Sequence, residues 1–365
     1  MSMSDEARGT PKHMQHGDKS HTKPKKSFKE RYLPQRGDSS SVIANKIIVI
    51  IAAAVFVVCM VILANYFYRL YEAKKNNSDL KSIYQSAQQK TLIQILPTDS
   101  ETDSDSSSGE VQYITVGGEA ETDEDEEVYS TELLIAAQEL LAINSDTVGY
   151  IEIPDCLYEP VVQTEDNDYY LTHNFYGQVR SVGTCFVDYR NVVYGKDRSD
   201  NIVLYGHNNK DGSMFGNMDY YSWNASYWKQ NPFIYFNTNY SEDIYVIISS
   251  FITNSEASSD NGNLFDYYNF INFNDGDYSY DNWIKEITER SMIITGVDVQ
   301  EGDQFLTLST CSYEWDDARH VIVARKLRKG ESTDDIDLTQ FQVNSNPKWP
   351  AIYYKYNGGS YIEQE

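Results

Sequence analysis

The run Ile47–Ala64 constrains this chain more than any other feature: eighteen consecutive apolar residues, bounded by Lys46 and Asn65. At about 1.5 Å per residue a helix of that length spans roughly 27 Å, close to the ~30 Å hydrocarbon core of a bilayer. Tyr66, Phe67 and Tyr68 follow at once, where interfacial aromatics belong. A cleaved signal peptide fits less well, because 46 residues precede the run and its length exceeds a typical signal h-region. Those 46 residues carry ten Lys/Arg and five Asp/Glu, a net +5 (10 − 5). Positive charge on that side predicts a cytosolic N-terminus, a signal anchor over 47–64, and everything after residue 65 outside the cell. The expectation is a single-pass protein of the cell membrane with an extracellular bulk.

The rest of the chain is strongly partitioned. Mean hydropathy is −0.54 despite the apolar run, so long stretches must be polar. Residues 1–46 show no apolar periodicity and read as a disordered basic head. His13, His16 and His21 within it read as solvated side chains rather than a metal-binding tract. Residues 65–130 read as a stalk and tether. Arg69–Leu96 has helical spacing through Leu80, Ile83 and Ala87, whereas Asp99–Glu127 holds twelve acidic residues and no basic one. Such a stretch repels itself and buries too little apolar surface to fold. With 55 acidic against 30 basic side chains, net −25, the chain as a whole has no nucleic-acid footprint. Four cysteines are too few for a disulfide scaffold.

Order resumes near Thr131 and continues to about residue 330. Short β-type runs dominate: Val148–Ile153, Val161–Gln163, Thr184–Val187, Ile202–Tyr205, Phe233–Phe236, Tyr245–Ser250, Met292–Thr295, Phe305–Thr310 and His320–Leu327. Helical segments fall near Asp166–Leu171, Tyr220–Lys229 and Ser279–Thr288. Many short strands at this spacing predict a mostly-β barrel or sandwich with helices on its periphery. Residues 331–365 form a polar tail containing Ile352-Tyr-Tyr-Lys-Tyr, either strapped to the domain or loose.

Beyond the head and the apolar run, three histidines (173, 207, 320) and three cysteines (156, 185, 311) remain. A cysteine nucleophile acts as thiolate, favoured by a neighbouring imidazolium or other cation. Cys185 lies among apolar strand residues and Cys156 in the turn Pro154-Asp-Cys-Leu; both read as independent structural thiols, with a disulfide between them the alternative. Cys311 differs. It ends a strand, a polar stretch follows, and Arg319 opens the next strand eight residues later, so a hairpin-like return brings guanidinium and thiol together. His207 also ends a strand and opens a loop. Strand ends opening onto loops suit a site on a rigid scaffold. His173 reads as a packing or surface residue, and His320, one step along the strand from Arg319, should face the opposite side. Asp316 and Asp317 read as solvated loop carboxylates, and Asn274-Asp-Gly-Asp as a turn lacking the spaced ligands of a calcium loop.

Thr307-Leu-Ser-Thr-Cys311 with Arg319 resembles the TLxTC…R signature of sortases. Tyr205-Gly-His207-Asn-Asn-Lys-Asp-Gly-Ser-Met-Phe215 is similar to the histidine segment of class B sortases. Asn144–Pro154, Pro160–Gln163, Asp166–Phe175 and Val187–Asn191 extend the likeness, in family order, over about residues 131–330. The resemblance implies a sortase-type eight-stranded β-barrel and a cysteine transpeptidase. By it, Cys311 attacks the Thr carbonyl of a sorting signal, His207 protonates the leaving amine, and Arg319 steadies substrate and oxyanion. It further implies Asn167, Leu171, Ser309 and Thr310 as substrate-binding residues, with no metal and no cofactor. The implied partners are secreted proteins bearing a C-terminal sorting signal, and an amine acceptor from a peptidoglycan precursor or, alternatively, a pilin lysine. Two other classes stand beside this reading. A surface adhesin would end in a sorting signal, apolar stretch and basic tail; Asn346-Pro-Lys is followed by no Thr and no apolar segment. A papain-like endopeptidase would place its cysteine on a helix.

Overall fold

The computed structural model describes residues 27–95, 129–262, 264–274 and 276–359. Most of the basic head and the whole acidic stretch Asp99–Glu127 lie outside the described residues. The chain divides into two compact units, Met1–Tyr71 and Glu72–Glu365.

In the first unit, α1 (Phe28–Tyr32) is opened by a capping box in which Ser27 and Glu30 exchange side-chain-to-backbone hydrogen bonds. Lys46 anchors this region, 2.7 Å from Asp38 and donating to the carbonyls of Glu30 and Leu33. Regular structure therefore reaches further into the head than its composition suggests. Helix α2 runs from Ser40 to Ile95, 56 residues without interruption. No Gly or Pro occurs in that span, so nothing breaks the backbone ladder. The stalk helix expected from Arg69 is this same helix continued, and it is long and apolar enough to cross a membrane.

The second unit is built on eight strands. They are β1 (Thr147–Ile153), β2 (Leu157–Val162), β3 (Cys185–Val187), β4 (Asn201–Tyr205), β5 (Phe233–Thr238), β6 (Ile244–Asn254), β8 (Phe305–Cys311) and β9 (Ala318–Lys326), closed in the order β1-β2-β3-β4-β8-β9-β6-β5. The pairs β2·β3 and β4·β8 are parallel, the others antiparallel. Closure removes the exposed edges an open sheet would leave. Alternation sorts the side chains. Ile202, Leu204, Leu306, Leu308, Ile322 and Ala324 fill the interior, and Phe305, Val321 and Val323 face outward. Eight of the nine runs read from sequence are these strands. The ninth, Met292–Thr295, contributes only the two-residue β7 (Ile293–Ile294), which pairs with β10 (Gln342–Val343) of the tail.

Helices cover the outer faces. Leu80, Tyr84 and Ala87 of α2 and Ala136 and Leu140 of α3 (Ile135–Leu141) pack with Tyr150, Val162 and Phe186. Spacings of three and four put the α2 trio on one helix face. The short helices α4 (Tyr220–Trp223) and α5 (Ala225–Gln230) follow the His207 loop, and α6 (Tyr280–Arg290) lays Trp283 and Ile287 over Phe251, Phe305 and Val323. The tail is strapped down: Phe341 is buried, as is Ile352 in α7 (Ala351–Asn357).

Tyr84 holds α2 to the barrel: its ring stacks on Tyr150 (3.8 Å between centroids, 9° between planes) and its hydroxyl accepts from Asn237 Nδ2 at 2.9 Å. Tyr84→Ala should lower the unfolding free energy by about 3 kcal/mol, the scale of a buried aromatic deletion. Chemical denaturation measures it, and a loss under 1 kcal/mol would mean α2 is not part of the cooperative unit.

Candidate active site

The site begins with the parallel pairing of β4 and β8, in which Asn201 lies opposite Phe305 and Tyr205 opposite Ser309. Parallel strands end at the same rim, so the residues two steps beyond this last pair, His207 and Cys311, leave the barrel at one level. The Gly206 N–H to Ser309 carbonyl bond (3.2 Å) carries the pairing past the end of β4. On the other side of β8, Cys311 is directly paired with Arg319 of β9. Directly opposed residues of an antiparallel pair share a face, with Cα atoms about 4.5–5.5 Å apart. Thiol and guanidinium therefore sit side by side on the outer face. Arg319 is half-buried and makes one hydrogen bond among the described residues, from Nη1 to the Ala318 carbonyl (3.0 Å). No ion pair joins it to Asp316 or Asp317, which are exposed.

Three loops fix the histidine. His207 Nε2 donates to the Leu171 carbonyl at 2.8 Å, so this nitrogen carries the proton in the arrangement seen. Gly183 (φ +65°) lets that contact form, because a Cβ there would lie 2.6 Å from the Tyr170 carbonyl and 3.0 Å from the imidazole. The backbone N–H of His207 donates to Met214 Sδ at 2.8 Å. The next residue, Asn208, donates through Nδ2 to the Cys311 carbonyl and to Asp219, both at 2.9 Å. Tyr313 returns the link, its hydroxyl donating to the Asn208 carbonyl at 2.7 Å. The histidine loop and the cysteine loop are thus cross-braced.

The remaining sequence-predicted residues take different places. Leu171 is exposed beside the site and offers its carbonyl to His207. Ser309 shares the face of Cys311, buried, with its Oγ hydrogen-bonded to the Tyr267 hydroxyl at 2.6 Å. Thr310 is buried on the opposite face, opposite His320, and its Oγ1 has no hydrogen-bonding partner. Both ends of the Asn167 amide are engaged, Nδ2 to Asp188 and Oδ1 from the Tyr189 N–H, each at 3.0 Å. Burial pushes the Asp188 carboxyl up, but the bidentate Arg190 (2.8 Å for each bond) and the Tyr205 hydroxyl outweigh it, and the net shift is downward.

The other candidates separate cleanly. Cys311 is exposed, whereas Cys156 and Cys185 are buried free thiols. Burial pushes Cys156 up to about 11, against a bond from Tyr227, and Cys185 well above the ordinary thiol value. His320 faces the interior, bonded through Nε2 to Ser250 Oγ at 2.8 Å, and burial pushes it down to about 4. His173 stacks on Tyr169 at 4.0 Å. Sequence reasoning does not reach Tyr267, Asn208, Tyr313 or Gly183. Asn208 neighbours His207 within its motif, which was signal enough; Tyr267 lies in an aromatic-rich stretch with nothing to distinguish it.

Glu159 is a further brace. Buried in β2, its Oε1 accepts from Asn77 Nδ2 of α2 (2.8 Å) and from the N–H of Met214 (3.2 Å), at the strained φ of +51° behind His207. Burial raises its carboxyl to about 8, against those two donors. A folded-state value above the unfolded one means the neutral acid favours the fold. That contribution is complete below the ordinary carboxylate range and is lost as pH rises through about 8. Glu159→Gln keeps an acceptor without the charge. Its melting temperature should match the parent below about pH 4 and exceed it increasingly as pH rises to about 8; a gap independent of pH would refute the assignment.

Comparison with known proteins gives the family and the fold. The sortase domain model matches residues 151–327. Sortase B of Listeria monocytogenes is 31% identical over 197 residues, 53% of this chain and 74% of that protein. Sortase B of Staphylococcus aureus is 30% identical over 194 residues, 52% and 74% respectively. A crystal structure of Bacillus anthracis sortase B in complex with AAEK1 superimposes with a TM-score of 0.52 at 26% identity, covering 72% of this chain and 99% of that one. The chain belongs to the sortase family, the cysteine transpeptidases built on this barrel. Within that family it is a class B member.

Proposed function

We propose that this chain is a membrane-anchored sortase that cleaves the sorting signal of secreted proteins through a thioester on Cys311 and transfers the acyl group to an amine of the cell wall. The observation that carries the reading is the cross-strand pair Cys311–Arg319, with His207 held at the same rim. Sγ of Cys311, as thiolate, adds to the carbonyl of the signal's Thr. The tetrahedral oxyanion falls to the Arg319 fork. Collapse breaks the peptide bond, and the imidazolium of His207 gives its proton to the departing amine. An incoming amine then attacks the thioester, loses a proton to His207 and returns Cys311 to the thiolate. Leu171 lines the approach, and Asn167 and Ser309 act on substrate through the walls they stabilise. The +5 head and the apolar helix support a cytosolic N-terminus and an outward-facing barrel.

The full chain, incubated with a fluorogenic Asn-Pro-x-Thr peptide, should cleave it and ligate it to an added amine. Cleavage with no ligation under any amine would leave a peptidase instead, and a strong preference for Leu-Pro-x-Thr-Gly would contradict an Asn-Pro signal. Cys311→Ala should abolish turnover with little change in melting; inactivation by Cys156→Ala or Cys185→Ala alone would move the nucleophile elsewhere. Arg319→Ala should cost roughly 10²–10³ in turnover, about 3–4 kcal/mol of transition-state stabilisation. Arg319→Lys should rescue only in part, since a point charge cannot reproduce a planar two-donor fork. Near-normal turnover in Arg319→Ala would remove it from the catalytic set.

A further inference from the structure

The six residues between Cys311 and β9 form a loop held from two sides. Tyr313 reaches the histidine loop through the Asn208 carbonyl. Trp315, two residues on, turns the other way and is buried against Ile252, Ala318 and Ile352, with the edge of its ring set on Tyr353 at 6.1 Å and 79°. Ile352 and Tyr353 belong to α7, in the tail beyond the span that the family model matches.

That tail is clamped where it passes over the domain. β10 pairs with β7, Asn344 N–H donates to the Met292 carbonyl (2.8 Å), and Lys348 N–H donates to the Glu289 carbonyl (2.8 Å). The Lys348 ammonium sits 3.2 Å from Glu286 and from Glu289, and the Ala351 N–H donates to Asp260. Trp349 stacks on Tyr353 at 4.3 Å and 7°, fixing the ring that Trp315 rests on. The underside of the loop carrying Cys311 and Arg319 is therefore made by the C-terminal strap rather than by the barrel alone.

We propose that the strap is a positioning element for the transfer reaction: Ile352 and Tyr353, through Trp315, set the turn that holds Cys311 opposite Arg319. The proposal rests on Cys311 being the nucleophile. Reacting groups misplaced by about 1 Å lose on the order of a hundredfold in rate. A strap that supports the loop from below, without touching the face that carries Cys311 and Arg319, should act on the chemical step more than on binding.

The test uses the full chain, with kcat, KM, the pH profile of Cys311 alkylation and the melting curve measured on each variant well below its transition. Tyr353→Ala and Ile352→Ala should lower kcat by roughly ten- to a hundredfold with KM within about twofold, and should displace the alkylation profile. Tyr353→Phe keeps the ring and should restore both. Tyr356→Ala, on the exposed side of the strap's end, should change neither. If Tyr353→Ala does not fold, Tyr353→Leu and Trp315→Phe are read in the same way. A folded variant with parental kcat and an unmoved alkylation profile overturns the proposal, even if its melting temperature has dropped. Cys311→Ala is assayed alongside: residual turnover there sinks the nucleophile assignment itself, whereas a dead Cys311→Ala beside a fully active strap variant sinks only the strap.

Discussion

The site depends on the parallel register between β4 and β8. In an antiparallel barrel, neighbouring strands deliver their C-terminal ends to opposite rims, and side chains just past two such ends cannot meet. A parallel pair sends both C-terminal ends to one rim, where His207 and Cys311 leave their strands together. Parallel neighbours cannot be joined by a tight turn, and here about a hundred residues separate β4 from β8. The chain spends those residues on β5, β6, α6 and the aromatic layer that covers the outside of β8. Connection and covering are one structural solution, and Tyr267, reaching Ser309, is where that layer meets the strand that ends in Cys311.

Around that register the protein builds stiffness by cross-bracing rather than by burying Cys311, His207 and Arg319. Asn208 and Tyr313 tie the two loops to each other, Leu171 and Gly183 hold the imidazole from the opposite wall, and Glu159 supports Met214 from inside. Each brace is a hydrogen bond or close contact between segments far apart in the chain. Cys311 stays open to solvent while its backbone is held from several directions.

How much of this was legible in the sequence follows from the range of each interaction. The pairing of Cys311 with Arg319 is local, a return over six residues, and strand-end position was sufficient to suggest it. Interior and exterior faces follow from alternation, which placed His320 away from the site. The run Met292–Thr295 reads like any other strand because a short apolar run does not name its partner. Its pairing with residues of the tail comes from tertiary contacts alone. The continuity of α2 was readable from the absence of Gly and Pro, yet a polar stretch beyond an apolar run invites a boundary between them. Trp315 over Tyr353 and Tyr267 over Ser309 join residues about forty apart, and aromatic side chains carry no signature of whom they will touch.

The distribution of sulfur has one more consequence. In the barrel unit the only solvent-facing thiol among the described residues is Cys311, while Cys156 and Cys185 are closed inside. An oxidant meeting this domain therefore has a single target, and no second exposed thiol stands ready to capture a sulfenic acid as a disulfide. Oxidation of Cys311 has no internal stopping point before the irreversible acids. Rescue must come from an external thiol, so the exposure of Cys311 leaves the domain dependent on reductant in its surroundings.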